Sequence, residues 1–409
     1  MNIWIFNHHA LTPDMSGGTR HYDFAKELVK RGHSVTIAAS SFHYSKYKEM
    51  KEYKNQEYLK EDVDGIDFIW IETPPYFGNG ISRVKNMLSY SFKVLKIIPK
   101  LDLKKPDIIV GSSVHLFAVY VAYRLSKRYR VPFVMEVRDL WPQTLIDMGI
   151  SKWHPFILLL SFLEKFLYKK ADKIITLLPK AHLYIEKLNI PKENIVWISN
   201  GSNISNRDRY KQLLDSSKFN ILYTGSHGIA NNLEVLIDVA DILREDNKIH
   251  FTLIGEGALK EQLIKKANLL KLSNITFLDS VSKNQIIDYL KSADLLYVGL
   301  KNLPLYRYGM SMNKVFDYMS AKKPILFVSN IEDNIIEKSN SGKVIKENNI
   351  QLIAKSIKNF SIMSKDELNI YGENGYNYLK DNFSIEVLTN RLEKILKEEV
   401  LKKDDKSSI

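Results

Sequence analysis

The sequence predicts two α/β domains, each built on a doubly wound parallel sheet. Short apolar runs alternate with helical stretches as far as Ile198, and the same alternation starts again at Phe219. This alternation is typical of parallel sheets that carry helices on both faces. The composition agrees: 45% of the 409 residues are hydrophobic, and only 18 are Gly and 12 are Pro, which excludes a disordered or low-complexity chain.

The first domain is predicted to open with a buried strand, Met1–Phe6, and a helix over Thr19–Lys30. Because the polar segment Asn206–Tyr210 separates the two alternating regions, we assign 1–203 and 204–384 to the two domains. Residues 385–409 are predicted to form a helix that returns to the first domain, followed by a polar tail. The other predicted strands are Val35–Ala39, Phe68–Ile71, Ile108–Val110, Phe133–Val137, Ile174–Leu177, Val196–Ile198, Phe219–Thr224, Phe251–Ile254, Ile275–Leu278, Leu295–Leu300 and Ile325–Val328, and the other helices are Leu233–Leu243, Lys260–Leu269, Asn284–Lys291 and Lys314–Met319.

The composition also excludes several classes of function. The chain has no Cys, which rules out disulfides, thiolate metal sites and cysteine nucleophiles. Its most apolar stretch, Phe156–Leu163, is far shorter than the roughly 20 residues that a membrane-spanning helix needs. Met1–Phe6 lacks the features of a signal peptide, so a cytoplasmic protein is predicted. The net charge of +12 favours anionic partners, but no recognition motif accompanies the scattered Lys and Arg, which argues against nucleic acid.

Neither a metal site nor a dinucleotide site is predicted. Asp62-Val63-Asp64 has the D-x-D spacing of some metal-dependent transferases, but it precedes a strand instead of following one, so we predict a hairpin or loop there. The ten His show no H-E-x-x-H spacing. The fingerprint G-x-G-x-x-G is absent, and Ala39-Ser40-Ser41 offers no acidic residue to a ribose. A nicotinamide dehydrogenase is therefore not expected.

In the first domain, three groups of residues are candidates for binding or catalysis. Gly17-Gly18, before the first helix, forms either an anion site or a simple tight turn. Arg138, Asp139 and Trp141 follow a strand directly and could act on a substrate, although a buried structural Arg–Asp pair is the alternative. His115 also follows a strand, and a structural role competes with acceptor binding there.

In the second domain, the candidates lie around the start of one helix. Arg307 and Lys314 are predicted to meet a diphosphate, and Asn313 stands beside Lys314 in the first turn. Asp317, one turn further on, could accept hydrogen bonds from a ribose diol. A solvated amphipathic helix is the alternative, but it does not explain the irregular loop around Gly309 that precedes it.

These segments together resemble the retaining glycosyltransferases of the GT-B family four. The resemblance rests on Asn2–Ala39, Arg138-Asp139-Leu140-Trp141-Pro142, Ser199-Asn200-Gly201, Tyr223-Thr224-Gly225, Ile254-Gly255-Glu256-Gly257 and Asn313–Met319, in that order. It implies two Rossmann-like domains facing across a cleft, a nucleotide-sugar donor on the C-terminal domain, an acceptor on the N-terminal domain, no metal and retention of configuration. The segments Arg138–Pro142 and Asn313–Met319 look most like the branch that adds N-acetylfucosamine-type amino sugars to bacterial surface polysaccharides.

The resemblance also assigns roles residue by residue. Asp317 matches the second carboxylate of the family's Glu-x7-Glu motif, and Gly309 stands where the first carboxylate is expected. Gly225-Ser226-His227-Gly228 replaces the Arg and Lys that many members use for the diphosphate, so Arg307 and Lys314 are the predicted substitutes. The predicted catalytic residues are Arg138, Asp139 and Lys314, and the predicted acceptor-binding residues are His115 and Trp141. The predicted donor-binding residues are Gly17, Gly18, Gly225, Ser226, His227, Glu256, Arg307, Gly309, Asn313, Lys314 and Asp317.

The implied reaction moves a sugar from a UDP-linked donor to a lipid-linked saccharide in capsule or O-antigen synthesis. A lipid-linked acceptor predicts attachment to the anionic inner face of the cell membrane, and two basic amphipathic segments could provide it. The segment Arg83–Lys105 is favoured over Trp153–Lys170, which could equally pack onto the sheet. A nucleotide-sugar epimerase and a non-catalytic sugar-binding protein are the alternative functions.

Overall fold

The computed structural model describes residues 1–44, 46–78, 80–113, 115–204 and 209–407. The chain divides into two compact units, which confirms the predicted pair of α/β domains. The first unit contains Met1–Thr12, Thr19–Ser199 and Leu388–Ile409, and the second contains Pro13–Gly18 and Asn200–Val387. The predicted boundaries, after residues 203 and 384, lie a few residues from these. The grouping of Pro13–Gly18 with the second unit was not predicted.

The first unit is built on an eight-stranded sheet that is parallel except at one edge. Its strands lie in the order β10-β9-β8-β7-β1-β2-β6-β5, and only β5 runs antiparallel to its neighbour. A separate antiparallel pair joins β3 to β4. The strands of this unit are β1 (Asn2–Phe6), β2 (Ser34–Ser40), β3 (Phe42–His43), β4 (Lys48–Glu49), β5 (Tyr58–Val63), β6 (Ile66–Ile71), β7 (Ile108–Ser112), β8 (Phe133–Val137), β9 (Lys173–Thr176) and β10 (Ile195–Trp197).

Helices cover this sheet because β1, β7 and β8 are buried along their whole lengths and need apolar cover on both faces. The third helix of the unit, α3, contacts α2, α5 and β7. The helices are α1 (Arg20–Lys30), α2 (Ile81–Ile97), α3 (Leu116–Tyr129), α4 (Gln143–Asp147), α5 (Pro155–Lys170) and α6 (His182–Ile185).

The second unit carries a six-stranded sheet that is parallel throughout, in the order β13-β12-β11-β14-β15-β16. The strands are β11 (Phe219–Thr224), β12 (Ile249–Ile254), β13 (Ile275–Leu278), β14 (Leu295–Gly299), β15 (Ile325–Val328) and β16 (Gly342–Ile345). The helices are α7 (Leu233–Ile242), α8 (Lys260–Leu269), α9 (Lys283–Ser292), α10 (Asn313–Ser320), α11 (Ile335–Ser339), α12 (Ile350–Ser361) and α13 (Lys365–Asn382), and a last helix, α14 (Ile385–Ser407), ends the described chain.

Most of the last helix belongs to the first unit, and a group of ion pairs joins it to that unit. Glu393 of α14 accepts hydrogen bonds from Arg31 at 3.0 Å and from His33 at 2.9 Å. Hydrogen bonds from Lys397 and His33 lower the pKa of Glu393 to about 2. The C-terminal helix is therefore attached to the end of α1 and the start of β2.

The acidic pair Asp62 and Asp64 lies at a hairpin, as predicted. β5 and β6 pair with Asp62 opposite Asp67, and Asp64 and Gly65 form the turn with φ angles of 56° and 81°. Asp64 is bound by Lys26 at 2.8 Å. Within the described ranges, no group of three or more His, Asp or Glu could hold a metal ion. None of the helices of the described chain is long and apolar enough to cross a membrane.

Candidate active site

The loop that follows β11 surrounds the ammonium of Lys314, the second residue of α10. Lys314 Nζ donates to Tyr223 Oη at 2.8 Å and to Asn231 Oδ1 at 3.0 Å, and it lies 4.2 Å from the centre of the Tyr223 ring. A Cβ at Gly225 would lie 2.9 Å from the same nitrogen, so glycine leaves the room that Lys314 occupies. Burial lowers the pKa of Lys314 to about 7. A lysine of α10 thus supplies a cation at the loop whose own sequence lacks one.

The same loop carries a buried neutral histidine. The ring of His227 is buried, and neither of its nitrogens has a hydrogen-bond partner among the described residues. Burial and the nearby charges of Lys260 and Lys314 lower its pKa to about 4. Its backbone N–H donates to Glu256 O at 2.8 Å, which holds the loop against the end of β12. Ser226 is exposed beside it.

Glu256, a predicted donor-binding residue, is held by its own neighbours. Its Oε1 accepts hydrogen bonds from Lys260 Nζ and from the backbone N–H of Ser280, both at 3.2 Å. Lys260 also pairs with Asp279 at 2.5 Å. These contacts give Glu256 a structural role at the ends of β12 and β13, and contact with a donor stays a prediction.

Asp317, the predicted ribose ligand, has an ion-pair partner that was not predicted from the sequence. Its Oδ1 accepts from Lys283 Nζ at 2.5 Å and from Ser202 Oγ at 2.9 Å. Lys283 is the first residue of α9, and the pair joins α9 to α10. These contacts fix the Asp317 carboxylate in position, and both are made by its Oδ1 atom.

Arg307 and Gly309 lie in the segment that leads into α10. Arg307 is exposed on a 3-10 helix, Pro304–Tyr308, where it donates to Pro304 O at 3.1 Å and lies over the Tyr308 ring. Gly309 has a φ of 89°, a conformation that favours glycine. Of the two cations that were predicted to bind the diphosphate, Lys314 lies at the β11 loop. A diphosphate contact for Arg307 stays a prediction.

Two predicted donor-binding residues from distant parts of the sequence meet at the start of α10. Gly18, whose segment groups with the second unit, lies directly against the side-chain amide of Asn313, and a Cβ at this position would collide with it. The neighbouring Gly17 has a φ of 131°. The two glycines therefore do not simply begin α1, because Thr19 separates them from that helix and Gly18 packs against α10.

In the first unit, a buried carboxylate that was not predicted lies directly before the Arg138-Asp139 motif. Glu136 accepts hydrogen bonds from Arg20 Nε at 2.9 Å, from His21 Nε2 at 2.8 Å and from Ser112 Oγ at 2.9 Å. Burial opposes its ionisation, but the charges of Arg20 and His21 outweigh this and hold the pKa of Glu136 well below its usual value. The sequence could have indicated this buried carboxylate, because Glu136 is a charged residue inside the otherwise apolar strand Phe133–Val137.

The Arg138-Asp139 motif itself is open to solvent. Asp139 is exposed and Arg138 is half-buried, so the alternative of a buried structural Arg–Asp pair is wrong. The backbone N–H of Arg138 donates to Ser113 Oγ at 3.1 Å, which ties the motif to the end of β7. Trp141 is half-buried. The side chains of Arg138 and Asp139 are thus available to a substrate.

His115, predicted to bind the acceptor, uses both ring nitrogens within the protein. Its Nδ1 accepts from the backbone N–H of Ala118 at 3.2 Å and caps α3, and its Nε2 lies 2.7 Å from Nδ1 of His8. Burial and the charge of Arg83 lower its pKa to about 3. Direct acceptor binding by His115 is therefore not supported, because the buried ring has no nitrogen left to offer.

Residues 17–201 match the model of the glycosyl transferase 4-like domain, and residues 205–378 match that of the glycosyl transferases group 1. The chain is a glycosyltransferase of the GT-B fold. It is 25% identical over 300 residues to WcaI of Escherichia coli strain K12, a protein named for colanic acid biosynthesis; the match covers 69% of this chain and 73% of WcaI.

Solved structures share the fold of this glycosyltransferase at low identity. Sucrose-phosphate synthase of Thermosynechococcus elongatus has a TM-score of 0.74 and 14% identity, with 97% of this chain and 98% of that one covered. HepE of Anabaena, whose structure was solved with UDP-glucose, has a TM-score of 0.65 and 14% identity. The match covers 97% of this chain and 100% of the HepE chain.

The glycosyltransferase thus collects most of its predicted second-domain residues around one helix start. The first two turns of α10 carry Asn313, Lys314 and Asp317. Gly18 packs against Asn313, and Gly225 packs against Lys314. A half-buried cation, a fixed carboxylate and a neutral histidine can bind an anion and a polyol, which are the parts of a nucleoside diphosphate.

Proposed function

We propose that the protein is a retaining glycosyltransferase that moves a sugar from a UDP-sugar to a lipid-linked saccharide during synthesis of a bacterial surface polysaccharide. The observation that carries the donor assignment is the ammonium of Lys314 at the β11 loop. The name of WcaI supports the product class, and the UDP-glucose bound to HepE supports the nucleotide. The sequence motifs extend the proposal to an N-acetylated amino sugar as the transferred group.

The donor diphosphate would lie between the β11 loop and the first turn of α10. Among the described residues, the hydrogen bonds of the Lys314 ammonium go to neutral oxygens, those of Tyr223 and Asn231. An anionic oxygen would give it a stronger, charge-assisted hydrogen bond. The positive end of the helix dipole at the start of α10 favours negative charge there as well. The second oxygen of Asp317 would accept from the ribose hydroxyls.

The proposed reaction breaks the bond between the anomeric carbon and the diphosphate and forms a bond from the acceptor oxygen on the same face. The acceptor proton passes to the departing diphosphate, so no enzymic nucleophile is required. Lys314 stabilises the charge that develops on the diphosphate, and Arg138 and Asp139 orient the sugar and the acceptor. In this proposal, Lys314 and the helix start take the part that a divalent ion plays in metal-dependent transferases.

Transfer from UDP-linked sugars to a lipid-linked acceptor tests the proposal, with NMR of the product reporting the anomeric configuration. We expect a product of retained configuration, and the same turnover after treatment with a chelator. Turnover that is lost with chelator and restored by magnesium would contradict the metal-independent mechanism. An epimerised sugar from donor alone would indicate the epimerase, and UDP binding without any turnover would indicate the non-catalytic protein.

The proposal includes attachment to the anionic inner face of the cell membrane, and the contacts favour a different segment from the predicted one. In the segment Arg83–Lys105, Lys93 pairs with Glu72 at 2.6 Å and Lys96 pairs with Glu57 at 2.7 Å. These acidic partners reduce the positive charge that the segment presents. In the segment from Met148 to Lys170, apolar side chains are exposed beside lysines. The exposed apolar residues are Met148, Ile150, Trp153, Leu158, Leu159 and Phe162, and the exposed lysines are Lys152, Lys165, Lys169 and Lys170.

No exposed acid interrupts this second surface. Its one carboxylate, Glu164, is buried, accepts a hydrogen bond from Tyr184, and has a pKa raised by burial to about 8, so it carries little charge at pH 7. None of the four lysines has a carboxylate partner among the described residues. An apolar surface with unpaired lysines at its edge suits an anionic leaflet, to which each lysine adds about 1 kcal/mol.

Reversing two of these charges should release the protein from membranes. In co-sedimentation with phosphatidylglycerol vesicles, we expect Lys165→Glu with Lys169→Glu to weaken binding at least about tenfold, and added salt to do the same. The matched control is Lys93→Glu with Lys96→Glu, which changes equal charge on α2. A larger loss of vesicle binding in the control would show that α2 contacts the membrane. Equal binding to phosphatidylcholine and phosphatidylglycerol vesicles would exclude an electrostatic attachment.

A further inference from the structure

A row of stacked rings lies beyond the carboxyl ends of β1 and β2 in the first unit. The ring of Tyr90 stacks on His8 at 4.3 Å, and His8 stacks on His9 at the same distance. The ring of Tyr44 follows, 5.4 Å from His9. Tyr90 and His8 are fully buried, His9 is 7% exposed and Tyr44 is 39% exposed. The row therefore leads from the core of the unit to solvent, at the edge of the sheet where α/β proteins bind ligands.

Hydrogen bonding determines which nitrogen of His8 carries the proton. His115 Nδ1 accepts from the backbone N–H of Ala118, so the neutral ring of His115 carries its proton on Nε2. That N–H donates to His8 Nδ1 at 2.7 Å. The neutral ring of His8 must then carry its own proton on Nε2. His115 thus orients His8 and makes its Nε2 a hydrogen-bond donor.

This donor and both nitrogens of the next ring lack partners. Within the described part of the chain, His8 Nε2, His9 Nδ1 and His9 Nε2 are buried and make no hydrogen bond. A buried polar group without a partner destabilises the folded protein, so such groups are rare unless a ligand or water completes them. Three of them on neighbouring rings indicate a binding site.

The charges that act on these rings are positive. Burial and then the neighbouring His, Arg83 and Arg138 lower the pKa of His9 well below its usual value, and Arg83 acts on His8 and His115 in the same direction. The rings therefore stay neutral at pH 7 and donate hydrogen bonds without adding charge. Arg83 lies in the first turn of α2, and Arg138 follows β8.

On the basis of the proposed function, we propose that His8, His9, Arg83 and Arg138 bind a phosphate group of the acceptor. Neutral ring N–H donors with two guanidinium groups match the oxygens of a phosphate, which guanidinium groups bind through paired hydrogen bonds. The phosphate could belong to a lipid diphosphate or to a phosphorylated sugar, because the chemistry of recognition is the same. Asp139, next to Arg138, would then lie near the acceptor saccharide.

The test uses the full chain labelled with 15N-histidine, whose ring signals report each site separately. Inorganic phosphate should shift the signals of His8 and His9, which His8→Asn and His9→Asn variants identify. UDP should shift His227, which lies at the β11 loop of the second unit. Arg83→Gln should weaken the effect of phosphate about tenfold or more, since it removes a charge-assisted hydrogen bond. Lys93→Gln, on the same helix, should leave it unchanged.

The outcomes separate this inference from the proposed function. If phosphate leaves His8 and His9 unmoved, or moves them equally in the Arg83→Gln variant, the inference is overturned, and a shift of His227 by UDP would still support donor binding. If UDP shifts no histidine signal, the donor assignment is wrong. The response of His8 and His9 to phosphate still tests the phosphate site independently. Geranyl diphosphate that binds more tightly than glucose 6-phosphate supports the site with a lipid source, and the reverse order supports it with a soluble one.

Discussion

Replacing Lys314 by Met should weaken the binding of UDP-glucose about ten- to a hundredfold. The substitution keeps a side chain of similar length between Gly225 and Tyr223, so the loop can keep its shape. It removes the ammonium that donates to Tyr223 and Asn231 at the β11 loop, and a hydrogen bond to a charged group contributes about 1.5–3 kcal/mol. Turnover should fall further, by about 10²–10³, because charge on the diphosphate grows as the glycosidic bond breaks. Calorimetry and initial rates measure the two effects.

The affinity of the wild-type protein should also depend on pH, with a sign set by Lys314. Burial lowers its pKa to about 7 in the free protein, and a diphosphate raises it again by stabilising the ammonium. Below pH 7 the lysine is already protonated, so affinity is constant. Above pH 7 binding must take up a proton, so affinity should fall by up to about tenfold per pH unit.

Two comparisons make this result specific. The Lys314→Met variant should show no such pH dependence between pH 6 and 8.5, since methionine does not titrate. Lys322→Met removes an exposed lysine of the same unit, one that pairs with Glu373, and should bind donor like the wild type. A wild-type affinity that does not change across this pH range, together with an unchanged affinity in Lys314→Met, would show that Lys314 does not contact the diphosphate.

Local patterns predicted most of the strands and helices because a parallel sheet requires continuous apolar runs. Phe133–Val137, Phe219–Thr224 and Lys260–Leu269 occur in the structure with the predicted bounds. The C-terminal helix was predicted, but the elements between Val328 and that helix were not. One of them is β16, whose short run Gly342–Ile345 contains the charged Lys343 and so lacks a clear apolar pattern. Edge strands need less apolar cover, so their patterns are weaker.

The candidate site was predictable only where one segment carries its own chemistry. Lys314 and Asp317 share a helix start, a feature that sequence spacing can indicate. The partner of Asp317, Lys283, comes from another helix, and the buried pair of Arg20 and Glu136 joins residues 116 positions apart. Contacts of this kind depend on the order of strands in the sheet, which a single sequence does not contain.

Removing the charge of Glu136 should destabilise the first unit more than any surface change. Glu136 and Arg20 are both almost fully buried, and Arg20 also donates to the carbonyl oxygens of Ile198 and Ser199. In Glu136→Gln the guanidinium stays buried without its counter-charge, which costs about 3–5 kcal/mol. All five tryptophans, Trp4, Trp70, Trp141, Trp153 and Trp197, lie in this unit, so urea unfolding followed by tryptophan fluorescence reports its stability.

A second substitution should restore part of this loss if the buried charge is its cause. Arg20→Met in the Glu136→Gln background removes the uncompensated guanidinium and leaves a neutral side-chain amide beside His21 and Ser112, at the cost of the donors to two carbonyl groups. We therefore expect the double variant to be more stable than the sum of the single losses by at least about 1.5 kcal/mol. Glu57→Gln, which breaks the exposed pair with Lys96, should leave the stability of the unit almost unchanged. Strictly additive losses from Arg20→Met and Glu136→Gln would mean that lost packing, and not the unpaired charge, destabilises the unit.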